Sequence, residues 1–400
     1  MKDNKFIYNL TEGVIVLNEL KKDWLSNIKG DLLAGLVTCM ALIPETIGFA
    51  LVAGVNPMFA IYSSFCFSII TAIFGGRPGL ISAAAGSMAL VLVSLVKNYG
   101  VEYMLLATIL AGILQIILGF FKVGKLMKYI SDPIMTGFVN ALGIMMFKSQ
   151  LPHFKGNYIL LILGAIGIAI IYLFPKITKV IPSPIISIVI VYLLVLIFKI
   201  DIPKLGDMGT ITTELPKFKI PNVSLSLQTL KIILPYSISL AIVGLLESLL
   251  TAQLLDDLTK TTSDKNRESV GQGLANIVTG FFGGIAGCGM IGQTILNHNY
   301  GGKGRLSTFS AGIFILLFVI VFNKFMVSIP IVALSAVMVV IAISTFKWKS
   351  IININKIPIR DTIIMIVTVI IVLLTSNLAY GVIVALILDK LLTLINFNKG

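Results

Sequence analysis

The sequence predicts an all-α integral membrane protein, with fourteen membrane segments arranged as a 7+7 inverted repeat around two half-helices. Three observations carry this reading. Apolar residues make up 57% of the 400 residues and charged residues only 12%, whereas a soluble domain carries about 25% charged residues. The apolar residues fall in continuous runs, not in the alternating segments of about ten residues that a membrane barrel requires. Thirdly, a carboxylate inside an apolar run, followed 30 to 36 residues later by a glycine-rich break, occurs twice (Glu45 with Gly75, Glu247 with Gly283).

The fourteen segments lie near residues 31–54, 57–74, 80–96, 101–121, 132–147, 157–174, 181–199, 231–255, 268–286, 289–297, 305–323, 328–345, 360–374 and 378–396. A full span takes roughly 20 residues, and most of these runs approach that length. The long polar, proline-containing connector at 200–230 separates a first repeat (31–199) from a second (231–396), with a charged amphipathic stretch at 1–30 and a short tail at 397–400. Seven segments is an odd number, so two halves in the same order lie in opposite orientations, a common basis for alternating access. The offsets agree: Glu247 follows Glu45 by 202 residues, Gly283 follows Gly75 by 208, and Pro330-Ile331 follows Pro133-Ile134 by 197.

The third and tenth segments are unusual. Residues 289–297 are too few to cross about 30 Å of hydrocarbon at about 1.5 Å per residue. Gly75, Gly76, Pro78 and Gly79 delay the start of the third segment in the same way. Broken backbone at membrane depth is tolerated only where it lines a cavity or is buried in protein. Two half-helices starting there aim their N-terminal N–H groups at one point, and such ends attract anions. Ala85, Gly86 and Ser87 open the first half-helix, and Cys288, Gly289 and Met290 the second. The small residues among them, Ala85, Gly86, Ser87, Cys288 and Gly289, let an anion approach the backbone. Small residues also serve ordinary helix packing; the two neighbouring carboxylates favour the first role.

A carboxylate at bilayer depth marks an ion or substrate path. Glu247 and Thr251 are spaced i, i+4 and share one side of a helix, a carboxylate and a hydroxyl that suit Na⁺. Glu247 equally suits a proton, or a structural role capping a neighbouring helix. Glu45 follows Pro44, which kinks a helix; it either opens space for substrate or satisfies backbone groups that the proline frees. The stretch from Asp264 to Asn276 reads as a capped, hydrogen-bonded turn.

The net charge of +13 fits orientation better than nucleic-acid binding. With both termini cytoplasmic, 22 of the Lys and Arg residues fall on that side and nine on the other, the positive-inside pattern of a multi-pass protein of the cell (plasma) membrane. Three cysteines and two histidines show no metal or disulfide spacing, so no cofactor is expected beyond Na⁺ as a coupling ion. Clustered ligands for a membrane-embedded enzyme are lacking, as is the phosphate-binding loop of a primary pump.

These residues resemble the sulfate permease (SulP) family of anion transporters. The likeness runs through GDLLAGLVTCMALIPETIGFALVAGVNP, GLISAAAGSMAL, DPIMTGFVNALGI, LLESLLTAQLLDDLT, SDKNRESVGQGLANIVTGFFGG, GCGMIGQT and IPIVALSAVMVV. It implies a core domain moving against a gate domain in an elevator-like way, usually as a homodimer, with sulfate, bicarbonate, halides or dicarboxylates as cargo and Na⁺ or H⁺ as coupling ion. By resemblance, Glu45 and Phe49 line the pocket, Ala85, Gly86, Ser87, Cys288, Gly289 and Met290 cradle the anion, and Glu247 with Thr251 helps hold Na⁺. Many members place an Arg where this chain has Gln293, so a co-transported cation becomes the more attractive source of positive charge. The family also carries a cytoplasmic STAS domain after the last helix, whereas this sequence stops at Gly400. The resulting expectation is secondary active symport of a small inorganic anion, sulfate or bicarbonate, against a C4-dicarboxylate or nucleobase carrier or a passive anion channel.

Overall fold

A computed structural model describes residues 21, 23–122, 124, 131–178, 181–375 and 377–394. The amphipathic stretch up to residue 20 and the tail at 397–400 lie outside the described residues. Among these, fourteen helices have nine residues or more, and they fall on the fourteen apolar segments. They are α1 (Ile28–Ala53), α2 (Pro57–Phe74), α3 (Gly86–Tyr99), α4 (Val101–Phe120), α5 (Asp132–Gln150), α6 (Tyr158–Leu173), α7 (Ser183–Ile197), α8 (Leu227–Thr259), α9 (Lys265–Phe281), α10 (Ile291–Asn299), α11 (Arg305–Val321), α12 (Ile331–Thr345), α13 (Ile359–Thr375) and α14 (Leu378–Leu394). Six helices among the described residues are long and apolar enough to cross a membrane, with α1, α2 and α8 among them.

Local chemistry sets the helix ends. The α1 helix stops at Gly54, whose φ of 71° lets its N–H turn back onto the carbonyls of Ala50 and Leu51, a left-handed cap that glycine adopts without strain. Next, Asn56 caps α2 by accepting from the Met58 N–H, with Pro57 at the first helical position, where its missing N–H is not needed. Ser226 caps α8 by accepting from the Thr229 N–H.

The all-α expectation needs one correction. Residues Ser82–Ala84 and Gly287–Gly289 form two short strands, β1 and β2, paired antiparallel. Each break must satisfy its backbone N–H and C=O groups away from water, and pairing the two breaks with each other does so.

The helices gather into two groups. In the first, α4 packs along α9, α11 lies against α1 and α2, and α8 rests on α4, with the half-helices α3 and α10 between α1 and α8. In the second, α13 packs on α5 and α14, while α12 packs on α5 and α6. The groups meet where α12 touches α1 and α14 touches α8.

At the end where α1 finishes, the connector binds both groups. Leu205 N–H donates to the Ile329 carbonyl (2.8 Å) and Ile331 N–H to that of Pro203 (3.0 Å). On the other group, Asn56 donates to the Thr210 carbonyl (3.1 Å), Tyr62 to that of Glu214 (2.9 Å), and Lys219 pairs with Glu102. At the opposite end, the buried Arg305 donates to the carbonyls of Ala72 and Gly75, both at 2.9 Å. It thereby supplies positive charge at the C-terminus of α2. Asp256 there forms an ion pair with Arg77 (2.9 Å) and accepts from Lys265.

Candidate functional site

The site is built on the ribbon. Ser82 lies opposite Gly289, Ala83 opposite Cys288 and Ala84 opposite Gly287. Because the strands are antiparallel, α3 and α10 leave the ribbon in opposite directions, each with its N-terminus turned toward it. The approach requires glycine: a Cβ on Gly287 would lie 2.3 Å from the Ala83 carbonyl oxygen, and one on Gly289 would lie 2.9 Å from the Ser248 Cα.

One face of α9 holds the ribbon in place. Glu268, Gln272 and Asn276 recur at i, i+4 and i+8, so they stand in one row. The Glu268 carboxylate accepts from the N–H groups of Gly76 and Arg77 at 2.8 and 3.0 Å. Gln272 donates to Glu268 (2.8 Å) and to the Ser82 hydroxyl (2.7 Å). Asn276 donates to Gln115 (2.8 Å) and accepts from the Gly287 N–H (3.3 Å).

Glu247, on α8, sits half-buried beside the strand ends. Its Oε2 accepts from the Ser87 hydroxyl at 2.6 Å and from the Cys288 thiol at 2.8 Å. Thr251, one turn on, donates to the Glu247 backbone carbonyl (2.7 Å), with the Gly289 carbonyl at 3.4 Å. Ser248 accepts from the Gly289 N–H at 2.8 Å. Glu45, on α1, is also half-buried and accepts from the Gln293 side-chain amide. Phe49 lies against the first residue of α3, since a Cβ on Gly86 would stand 2.9 Å from its ring.

The sequence places the first half-helix well: Ala85 is its cap and Gly86 its first residue. The second needs correction. Cys288 and Gly289 belong to β2, Met290 is the cap, and α10 begins at Ile291. The Met290 N–H donates to the Ile81 carbonyl at 2.8 Å, so this backbone donor serves the first break.

The structure brings Ser87, Cys288, Glu247, Thr251 and Gly289 together, and it joins Glu45 to Gln293. Each carboxylate of one half therefore bonds a neutral donor in the first turn of the other half's half-helix. Among the described residues, neither Glu45 nor Glu247 forms an ion pair with Lys or Arg. Sequence reasoning missed the row on α9, taking that stretch for a capped turn. The cap is present, with Asp264 accepting from the N–H groups of Asn266 and Arg267 at 2.9 and 3.0 Å. The i, i+4, i+8 spacing of polar residues was the signal for the rest.

Comparisons with known proteins bear on the family and the fold. Residues 28–159 and 155–368 match the sulfate permease family. A Bacillus subtilis (strain 168) protein, Putative sulfate transporter YbaR, is 51% identical over 381 residues, covering 95% of this chain and 80% of the relative. The bicarbonate transporter BicA of Picosynechococcus sp. is 27% identical over 372 residues, covering 85% of this chain and 65% of the relative. Among solved structures, the transmembrane domain of a cyanobacterial BicA superposes with a TM-score of 0.79 at 23% identity, covering 91% of this chain and 98% of that one. SLC26A9 gives a TM-score of 0.84 at 20% identity, covering 99% of this chain and 70% of that one. These last two likenesses concern the fold alone.

Proposed function

Since the chain belongs to the sulfate permease family, we propose that it is a secondary active transporter of a small inorganic anion, sulfate or bicarbonate, in symport with Na⁺ or H⁺. The observation that carries the reading is Glu247, held between Ser87 at the start of α3 and Cys288 just before α10. The anion sits at the half-helix N-termini, and the coupling cation neutralises Glu247, with the Thr251 hydroxyl and the Gly289 carbonyl as neighbouring oxygens for Na⁺.

Magnitudes favour obligatory coupling. A carboxylate about 4 Å from a bound anion repels it by roughly 4 kcal/mol at an effective dielectric constant of about 20. A helix N-terminus returns at most about 2 kcal/mol in a partly buried setting. Two such ends barely offset one bare carboxylate, so a bound cation decides whether the anion stays. A co-bound cation also supplies the differential affinity that shifts a carrier between states.

The two helix groups correspond to a core (α1–α4, α8–α11) and a gate (α5–α7, α12–α14), and the loaded core moves past the gate. An inverted 7+7 repeat is supported by recurring packing: α4 on α9 mirrors α11 on α2, and α6 on α12 mirrors α13 on α5. The functional unit is a homodimer in the plasma membrane; the basic-residue asymmetry favours cytoplasmic placement of both termini.

Counterflow in proteoliposomes tests the function, with radiolabelled sulfate, bicarbonate and fumarate offered with and without Na⁺ and pH gradients. Saturable, gradient-driven accumulation of sulfate or bicarbonate is the expected result. Non-saturable flux identifies a channel instead, and preference for fumarate identifies a dicarboxylate carrier.

Gly292→Val probes where the anion sits. A Cβ at Gly292 meets nothing within 4 Å, so thermal stability should hold. Blocking the first turn of α10 should raise the half-saturation concentration for the anion about ten-fold, the equivalent of about 1.4 kcal/mol. Unchanged transport moves the anion away from α10.

A further inference from the structure

A cavity of about 500 Å³ opens on the second helix group, away from the carboxylate site. Its walls come from the start of α5, the start of α13 and the connection between α12 and α13. It is lined by two acids, Asp132 and Asp361, and by two bases, Lys347 and Lys349, with Trp348 and Met365 among the other walls. Among the described residues none of these four charges takes part in an ion pair.

The walls are fixed. Buried Asn140 on α5 accepts from the Lys347 N–H (2.8 Å) and donates to Ser350 (2.9 Å), tying the connection to α5. The Trp348 indole donates to the Ile343 carbonyl at 2.8 Å and its ring packs against Phe346, centroids 4.9 Å apart. Beside the two acids, the hydroxyls of Ser131 and Thr362 are buried with no hydrogen-bond partner. Exposed Ile351, Ile352 and Ile359 flank the cavity residues in sequence. Exposed isoleucines next to Trp and Lys at the ends of apolar helices mark the interfacial zone, where aromatic and long basic side chains anchor a membrane protein.

We propose that this cavity binds the headgroup of a phospholipid carrying both a phosphate and a primary ammonium, that is, an ethanolamine phospholipid. The phosphate fits the two lysines as a charge-assisted acceptor. Three N–H donors on the ammonium fit the two carboxylates, and the acyl chains leave over the isoleucines. A choline headgroup carries the same charges but has no N–H to donate. A glycerol headgroup has no cation and leaves both acids facing a phosphate. The site sits on the gate, so its occupancy is independent of the anion carried.

The test uses the full chain reconstituted in vesicles with equal parts ethanolamine, choline and glycerol phospholipids, followed by native mass spectrometry of retained lipid. Ethanolamine lipid should be enriched about ten-fold over choline lipid, the equivalent of one charge-assisted hydrogen bond. Enrichment should vanish in D132N/D361N, while K347Q/K349Q should lose ethanolamine and glycerol lipids alike. If either variant fails to fold, successive N-methylation of the headgroup against the wild-type chain still decides: retention should fall with each methyl. Equal retention of choline and ethanolamine lipids overturns the proposal, as does preference for the glycerol lipid or undiminished enrichment in D132N/D361N.

Discussion

Glu247→Gln should make anion uptake independent of any cation gradient while leaving the protein folded. The glutamine keeps the length of the side chain, and its amide oxygen still accepts from Ser87 and Cys288, which lie at 2.6 and 2.8 Å from the native carboxylate. Only the charge is gone. In the proposed mechanism the anion meets about 4 kcal/mol of repulsion from a bare Glu247, so removing it should strengthen cation-free anion binding by up to about three decades. Counterflow, which exchanges anion for anion, should continue, whereas accumulation driven by Na⁺ or pH should fall to background. Thr251→Val separates the two ions: losing a hydroxyl ligand weakens a Na⁺ site but leaves a protonatable carboxylate in place. Uptake by the glutamine variant that stayed fully cation-dependent would remove Glu247 from the coupling role.

How much of this site the sequence discloses depends on distance along the chain. Glu45 and Glu247 stand out because a carboxylate inside an apolar run breaks a pattern that extends over many residues. The length of each continuous apolar run is likewise visible, and the fourteen runs reappear as helices. The partners of the carboxylates are not visible in this way. Ser87 meets Glu247 across 160 residues and Gln293 meets Glu45 across 248, and no local pattern encodes such contacts. The ribbon is hidden for another reason. Three-residue strands reading Ser-Ala-Ala and Gly-Cys-Gly show no alternation and few β-branched side chains, so small residues that pair as strands look like small residues that open a helix. That is why the start of α10 was expected three residues early, at Cys288. The row of Glu268, Gln272 and Asn276 falls between these cases: its spacing is local, but its targets at Gly76, Ser82 and Gly287 are not.

The ribbon also gives the sharpest steric test of the site. In Gly287→Ala the new methyl would lie 2.3 Å from the Ala83 carbonyl oxygen, 2.8 Å from the Ala83 carbonyl carbon and 2.8 Å from the Phe67 ring. The ring can turn, but the Ala83 backbone cannot, because Ser82 and Ala84 on either side are paired in the same ribbon. The strands must therefore separate, at a cost of about 1–3 kcal/mol for an overpacked interior. Separation carries Cys288, the next residue, away from Glu247, and shifts Ala85 and Ser87 at the head of α3. Misplacing reacting groups by about 1 Å can cost a factor of about 100 in an enzyme, and transport should drop on that scale, accompanied by a lower thermal midpoint. Gly292→Val is the counterpart: a larger side chain, five residues further on, in open space, with no expected loss of stability. If transport depends on the ribbon holding two half-helix ends at one separation, the smaller substitution must be the more damaging. A Gly287→Ala protein with wild-type stability and wild-type uptake would mean that the strands are free to part, and that the carboxylate site does not need them held together.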